Sequence, residues 1–67
     1  MFEIGDLFIA EHNSTNGLIV LIEGENVVIR WWDDDRTWRA YYCRQDLYSH
    51  IRPDGDFIRH PARKDNV

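Results

Sequence analysis

The chain alternates between short apolar runs and short polar or glycine-containing breaks. Four runs are rich in apolar and aromatic residues, at residues 7–10, 18–22, 27–32 and 36–42, and the last two also contain arginines. The runs are brief and rich in β-branched or aromatic residues, which favours strands over helices. The breaks at 12–16, 23–26 and 33–35 contain Gly, Asn, Asp and Ser, which are typical of turns. The pattern predicts four successive strands joined by tight loops.

The third and fourth runs predict a hairpin around the acidic loop at residues 33–35. If that loop has an even number of residues centred on Asp34 and Asp35, the register of the hairpin follows. The core face then carries three cross-strand pairs: Trp31 with Trp38, Ile29 with Ala40, and Val27 with Tyr42. The outer face carries Trp32 with Thr37, Arg30 with Arg39, and Val28 with Tyr41.

The remainder of the chain predicts a helical turn and one more apolar segment. Asp46 can cap a short helical turn that contains Leu47 and Tyr48. The turn-forming residues 53–55 follow, and then residues 57–58 are expected to add a last short strand or to pack over an open end. We expect a single folded domain over residues 1–60 and a flexible tail over residues 61–67.

Composition and charge favour a small single-core domain and argue against a general polyanion-binding, secreted or membrane-spanning protein. At 67 residues and 43% hydrophobic residues, the chain can form one small core. Its formal net charge of −4 opposes general binding to polyanions. Cys43 is the single cysteine, the start of the chain does not resemble a secretion signal, and the apolar run at 18–22 is too short to span a membrane. We expect a cytoplasmic protein, in the host cytoplasm if the source is viral, with no membrane contact.

The order of these features resembles SH3-like barrels of the KOW and Tudor type. The residues that carry the resemblance are Gly5, Asp6, Leu7, Phe8, Gly17, Leu18, Ile19, Ile22, residues 27–31, Asp33, Tyr42, Asp46, Leu47 and Ile51. The resemblance implies an all-β, five-stranded barrel with a short helical turn before the last strand, and a binding surface on its loops and outer sheet. This barrel serves in ribosomal and transcription factors, methylated-peptide readers, peptide-binding modules and small bacteriophage accessory proteins. The chain lacks both the basic loop of an RNA-binding KOW segment and, at residues 12–16, the aromatic residue of a Tudor-like cage.

The aromatic and charged residues of the predicted hairpin form the candidate partner-binding site. They are Arg30, Trp32, Asp33, Asp34, Asp35, Arg39 and Tyr41. Aromatic rings beside carboxylates attract cationic side chains, so we expect the site to bind a protein partner. Alternatively, the aspartates only solvate the turn, and Trp31 and Trp38 belong to the core.

Two other functions use the same residues. Arginines interleaved with stackable rings can hold RNA or single-stranded DNA through phosphate contacts and stacking. A small acidic protein can also mimic nucleic acid, as a viral inhibitor of a host nucleic-acid enzyme would. Strand edges left open by such a barrel can pair between copies, so a monomer or a weak homo-oligomer is expected.

Catalysis and metal binding find little support in the sequence. The residues that could take part are His12, Cys43, His50 and His60, and they lie in separate segments without the spacing of metal ligands. No residues are arranged as a nucleophile with an oriented base, and the four glycines are spread one per turn rather than forming a phosphate loop. We therefore expect a non-enzymatic protein without a cofactor.

Overall fold

The computed structural model describes residues 1–10, 14–51 and 55–62. Its elements in chain order are β1 (Leu7–Ala10), β2 (Thr15–Glu23), β3 (Asn26–Trp32), β4 (Thr37–Cys43), α1 (Arg44–His50) and β5 (Phe57–His60). The prediction of five strands with a short helix before the last one is confirmed. The predicted turn over residues 12–16 lies partly outside the described residues, and β2 begins within it, at Thr15.

The five strands form one antiparallel sheet in the order β4-β3-β2-β1-β5. β1 pairs with both β2 and β5, so the last strand returns to the first. The other edge of the sheet is β4, which follows β3 through the predicted hairpin. At this level the fold is all-β, an open sheet with one helix.

The sheet is curved, because residues from distant strands share one core. The ring centroid of Phe57 on β5 lies 5.0 Å from that of Trp31 on β3 and 6.4 Å from that of Tyr42 on β4. In a flat sheet, β1 and β2 would separate these rings by several strand spacings of about 4.8 Å each. The sheet therefore bends around the rings.

A β-bulge in β2 decides which of its apolar residues are buried. Ile19 pairs with Ile29, but the next pair joins Leu21 to Val28, so Val20 is the extra residue. Before the bulge Gly17 and Ile19 face the core, and after it Ile22 packs against the core instead. The continuous apolar run of β2 thus serves two faces of the sheet.

The helix begins earlier than the sequence predicts. Asp46 was expected to cap it, but α1 begins at Arg44, its N-cap is Cys43, and no side chain caps it. The helix follows β4 directly, and the amide of Arg44 donates to the carbonyl of Glu25 at 2.9 Å. The guanidinium Nε of Arg44 also donates to the Gly24 carbonyl at 2.9 Å. These two bonds hold the first residue of the helix against the β2–β3 turn, and Asp46 consequently lies in the first turn of the helix.

The buried carboxylate of Asp6 joins the two ends of the described chain. Asp6 is 1% exposed and pairs with Arg59 at 2.8 Å. It also accepts hydrogen bonds from the amides of Glu3 at 3.0 Å and Ala62 at 2.8 Å. A charge-assisted network of this kind compensates the cost of burying the carboxylate. The domain is thereby tied from Glu3 to Ala62, while residues 63–67 of the predicted tail lie outside the described residues.

Within the described residues, no helix has the length and apolar character needed to cross a membrane.

Candidate interaction surface

The register of the β3–β4 hairpin agrees with the sequence prediction in every pair. Trp31 pairs with Trp38, Ile29 with Ala40, and Val27 with Tyr42. Since side chains alternate between the faces of a strand, Val27, Ile29 and Trp31 point into the core, where each is no more than 4% exposed. Their neighbours in sequence therefore point outward.

The outward side chains of this hairpin include four of the predicted site residues. We call them the hairpin face: Arg30, Trp32, Arg39 and Tyr41. Both arginines are exposed, Tyr41 is 70% exposed and Trp32 is half-buried. The hairpin brings these four together as predicted. Tyr41 and Trp32 lie at opposite ends of this face, with the arginine pair between them. Exposed or partly exposed aromatic residues and arginines are typical of the residues that anchor protein interfaces.

Arg30 and Arg39 lie directly opposite each other in the ladder. Like charges in this position destabilise a sheet by mutual repulsion. Within the described ranges, neither guanidinium forms an ion pair, and the single ion pair there joins Arg59 to Asp6. The hairpin face therefore concentrates positive charge on a protein whose net charge is negative.

The acidic loop at the end of the hairpin is a four-residue turn. The amide of Asp33 donates to the carbonyl of Arg36 at 3.0 Å. One carboxylate oxygen of Asp33 accepts the amides of Asp35 at 2.9 Å and Arg36 at 3.0 Å. These amides favour the ionised form, so they lower the pKa of Asp33 from its ordinary 3.8, and the charge of Arg36 lowers it less. Asp33 therefore holds the turn, whereas Asp34 and Asp35 point into solvent.

The aromatic rings at this loop are largely occupied by the protein itself. Trp31 is in the core, and the guanidinium carbon of Arg36 lies 4.6 Å from the ring centroid of Trp38. This cation–π contact occupies a face of the Trp38 ring, which is one of the aromatic rings beside the acidic loop. Of the three tryptophans, Trp32 keeps an exposed part beside the acidic loop without such a contact among the described residues.

Several apolar residues on the same side of the sheet were not among the predicted site residues. Four of them are Leu7, Ile9, Leu18 and Ile58, which alternate with buried residues in β1 and β2 and with half-buried residues in β5. Leu21 pairs with Val28 after the bulge, so it also lies on this side. Val28 shares their side but is only 5% exposed, beside the bulge. Leu7 and Ile9 flank Phe8 on β1, so the two-residue period of a strand places them on the side opposite to this buried ring. The contribution of Ile58 depends on the pairing of β5 with β1, which no local pattern specifies.

The residues considered for catalysis or metal binding are scattered. His50 stacks on Phe57 at 4.8 Å, His60 pairs with Leu7 across the β1–β5 ladder, and Cys43 is an exposed free thiol. In the part of the chain that the structure describes, no three His, Cys, Asp or Glu side chains are grouped as metal ligands. His12 lies outside the described residues.

Tyr42 is a half-buried titratable residue that packs against the core. The indole Nε1–H of Trp31 donates to its hydroxyl oxygen at 3.1 Å. Burial raises the pKa of Tyr42 above its ordinary 10.0, and the bond from Trp31 offsets part of that rise. The hydroxyl therefore stays neutral at physiological pH and holds the indole of Trp31 in place.

The chain matches no protein-family model, and no curated protein or solved structure is significantly similar to it.

Proposed function

We propose that this protein is a non-enzymatic binding module that engages a protein partner through the hairpin face and the adjacent acidic loop. The observation that carries the proposal is the exposure of two arginines and two aromatic rings on one side of a single hairpin. Aromatic residues and arginine are the side chains that contribute most to protein interfaces. On the opposite side of the same strand, Val27, Ile29 and Trp31 are buried in the core, which fixes the position of the hairpin face.

We also propose that the curved sheet is an SH3-like barrel. The order of the elements, the helix before the last strand and the return of β5 to β1 support this fold. The contacts of Phe57 with Trp31 and Tyr42 support it further. A solution structure tests it: nuclear Overhauser contacts between the backbones of β4 and β5 are expected, and their absence would leave an open sheet.

A protein partner fits this surface better than nucleic acid. Asp34 and Asp35 lie at the end of the hairpin that carries Arg30 and Arg39, and they would repel a continuous phosphate backbone. A folded partner can place carboxylates against the arginines and cationic side chains against the acidic loop, which a uniformly negative phosphate backbone cannot do. The net charge of −4 acts in the same direction.

Affinity capture from extracts of the source cells tests the function. The wild type, Trp32→Ala, Arg39→Ala and the control Glu25→Ala serve as baits; Glu25 is exposed in the β2–β3 turn, away from the hairpin face. We expect Trp32→Ala and Arg39→Ala to lose a protein that the wild type and the control retain. The proposal is wrong if all four baits retain the same proteins.

The salt dependence of the affinity for the captured partner then distinguishes a protein contact from nucleic-acid binding. Affinity for nucleic acid should fall steeply with salt, because each phosphate contact releases counterions. An interface with an apolar centre should depend on salt more weakly. A nuclease-sensitive complex with a steep salt dependence would assign the hairpin face to RNA or single-stranded DNA.

A further inference from the structure

The hairpin face continues into an apolar surface across the rest of the sheet. We call Leu7, Ile9, Leu18 and Ile58 the apolar half. One row of the ladder begins at His60 on β5 and runs through Leu7 and Leu18 to Arg30 and Arg39. A second row runs from Ile58 to Ile9, Asn16 and Trp32. In both rows, going from β5 towards β4, the aliphatic residues come before the arginines or Trp32. The outer side of the sheet therefore has a mainly aliphatic half and a half with cationic and aromatic residues.

The apolar half remains accessible in the folded chain. Ile58 is 42% exposed, and Leu7, Ile9 and Leu18 are half-buried. Neighbouring strands are about 4.8 Å apart, so the aliphatic side chain of Leu18 lies about 10 Å from Arg39, two strands away. A segment of a partner that crosses the strands can therefore contact both halves at once.

Charge indicates what such a segment carries. Arg30 and Arg39 repel each other, and neither forms an ion pair in the described ranges. A carboxylate placed between them would remove this repulsion and accept charge-assisted hydrogen bonds from both guanidinium groups. A phosphate backbone would satisfy the arginines but would leave the four aliphatic residues without apolar contacts.

We propose that the outer side of the sheet binds an acidic, aliphatic protein segment. Leu or Ile side chains of that segment pack on the apolar half. One or two of its carboxylates bind Arg30 and Arg39, which lie about 5 Å and about 10 Å from Leu18 across the strands. This inference rests on the proposed function and specifies the chemistry of its partner.

Selection from a displayed library of random peptides on the immobilised protein tests the inference at about 0.15 M salt. We expect the enriched sequences to combine Asp or Glu with Leu or Ile. Arg30→Glu/Arg39→Glu should bind them at least about tenfold more weakly, because charged hydrogen bonds are lost. The same variant should bind a peptide in which Lys replaces each Asp and Glu. Both arginines are exposed, so the variant should fold, as circular dichroism can verify.

A second variant tests the apolar half. Ile58 lies on the edge strand β5, and Ile58→Thr should weaken the binding of the selected peptides. Glu25→Ala in the β2–β3 turn should leave their affinity unchanged. Enriched peptides that depend on Trp32 but are not acidic, or that tolerate both the charge reversal and Ile58→Thr, would overturn the inference and leave the proposed function intact.

The remaining outcomes also decide the question. Failure to enrich any peptide overturns the inference, and the capture experiment then decides the proposed function on its own. If a single-stranded oligonucleotide binds the wild type and no peptide does, both are wrong. If sedimentation velocity finds a dimer that Arg30→Glu/Arg39→Glu dissociates, the surface binds a second copy and the inference is wrong.

Discussion

Gly17 lies where β2 passes close to the indole ring of Trp31. A Cβ atom at this position would be 2.6 Å from Cε3 of Trp31 and 2.7 Å from Cγ2 of Ile29. Such distances are far inside van der Waals contact, and both neighbours are buried. The core therefore requires the absence of a side chain here. A sequence pattern treats Gly17 only as a turn residue at the start of a strand.

Gly17→Ala is expected to destabilise the protein by about 1–3 kcal/mol, because the methyl group overpacks the core. Urea unfolding monitored by tryptophan fluorescence measures the change. Asn16→Ala, at the neighbouring half-buried position on the outer side, serves as control and should stay within about 0.5 kcal/mol of the wild type. Equal effects of the two substitutions would contradict the close approach to Trp31.

Tyr42 makes stability sensitive to alkaline pH. Its folded-state pKa is raised above the ordinary 10.0, so the neutral form is favoured by folding. The stability linked to Tyr42 is therefore complete below pH 10.0 and is lost as the pH rises from there through the folded-state pKa. We expect Tyr42→Phe to flatten this alkaline loss in urea unfolding, after an initial cost of about 1 kcal/mol for the hydrogen bond from Trp31.

Tyr41→Phe is the matched control for this measurement. Tyr41 is the next residue, points to the outer side and is 70% exposed. Because this side chain is mostly in solvent, Tyr41→Phe should cost less than about 0.5 kcal/mol, which separates loss of the buried hydroxyl from loss of a tyrosine hydroxyl in general. An unchanged profile in Tyr42→Phe would mean that other groups cause the loss.

At the scale of elements, the β3–β4 hairpin is stabilised by its turn in addition to its strands. Asp33 accepts two backbone amides, whereas Asp34 and Asp35 accept no hydrogen bond within the described ranges. The three aspartates look equivalent in the sequence, and the structure separates them. Asp33 serves the fold, and the other two supply the charge of the acidic loop.

Asp33→Ala is expected to lower the melting temperature, and Asp34→Ala is expected to leave it nearly unchanged. Because the folded-state pKa of Asp33 lies below 3.8, its stabilisation is present above pH 3.8 and is lost as the pH falls through the folded-state value. Asp33→Asn keeps an oxygen acceptor for the amides and should remove this acid dependence. Thermal unfolding between neutral and acidic pH measures both effects, and identical melting in Asp33→Ala and Asp34→Ala would contradict the assignment.

At the scale of the whole molecule, Asp6 connects parts of the chain that are far apart in sequence. Its carboxylate binds Arg59 on β5 and the amides of Glu3 and Ala62. Arg59 in turn donates to the Met1 carbonyl at 2.6 Å and lies 5.0 Å from the ring centroid of Phe2. The return of β5 to β1 therefore depends on a buried ion pair as well as on the ladder.

Asp6→Ala is expected to cost about 2–4 kcal/mol, because it leaves two backbone amides and the partly buried guanidinium of Arg59 without the carboxylate that they bind. In a domain of this size such a loss can unfold the protein, so Asp6→Asn, which keeps an oxygen acceptor, provides a milder test. Urea unfolding measures both. The control Glu3→Gln changes an exposed carboxylate nearby and should have little effect. A cost below about 1 kcal/mol for Asp6→Ala would show that the network is dispensable.

The sequence by itself indicated the strands and, on the condition that the hairpin loop has an even number of residues, the hairpin register and the residues of the hairpin face. The reason is physical: the two-residue period of a strand and an even loop of four residues are local, so Arg30 and Trp32 had to lie opposite Arg39 and Thr37 once the strands formed. These features need no information from distant parts of the chain.

Only the tertiary structure decided the bulge at Val20, the burial of Asp6 and the return of β5 to β1. Each depends on contacts between residues far apart in sequence, and a continuous apolar run such as that of β2 is compatible with either face. The same holds for the candidate site: Ile58 lies on the outer side because β5 pairs with β1, which no short pattern encodes.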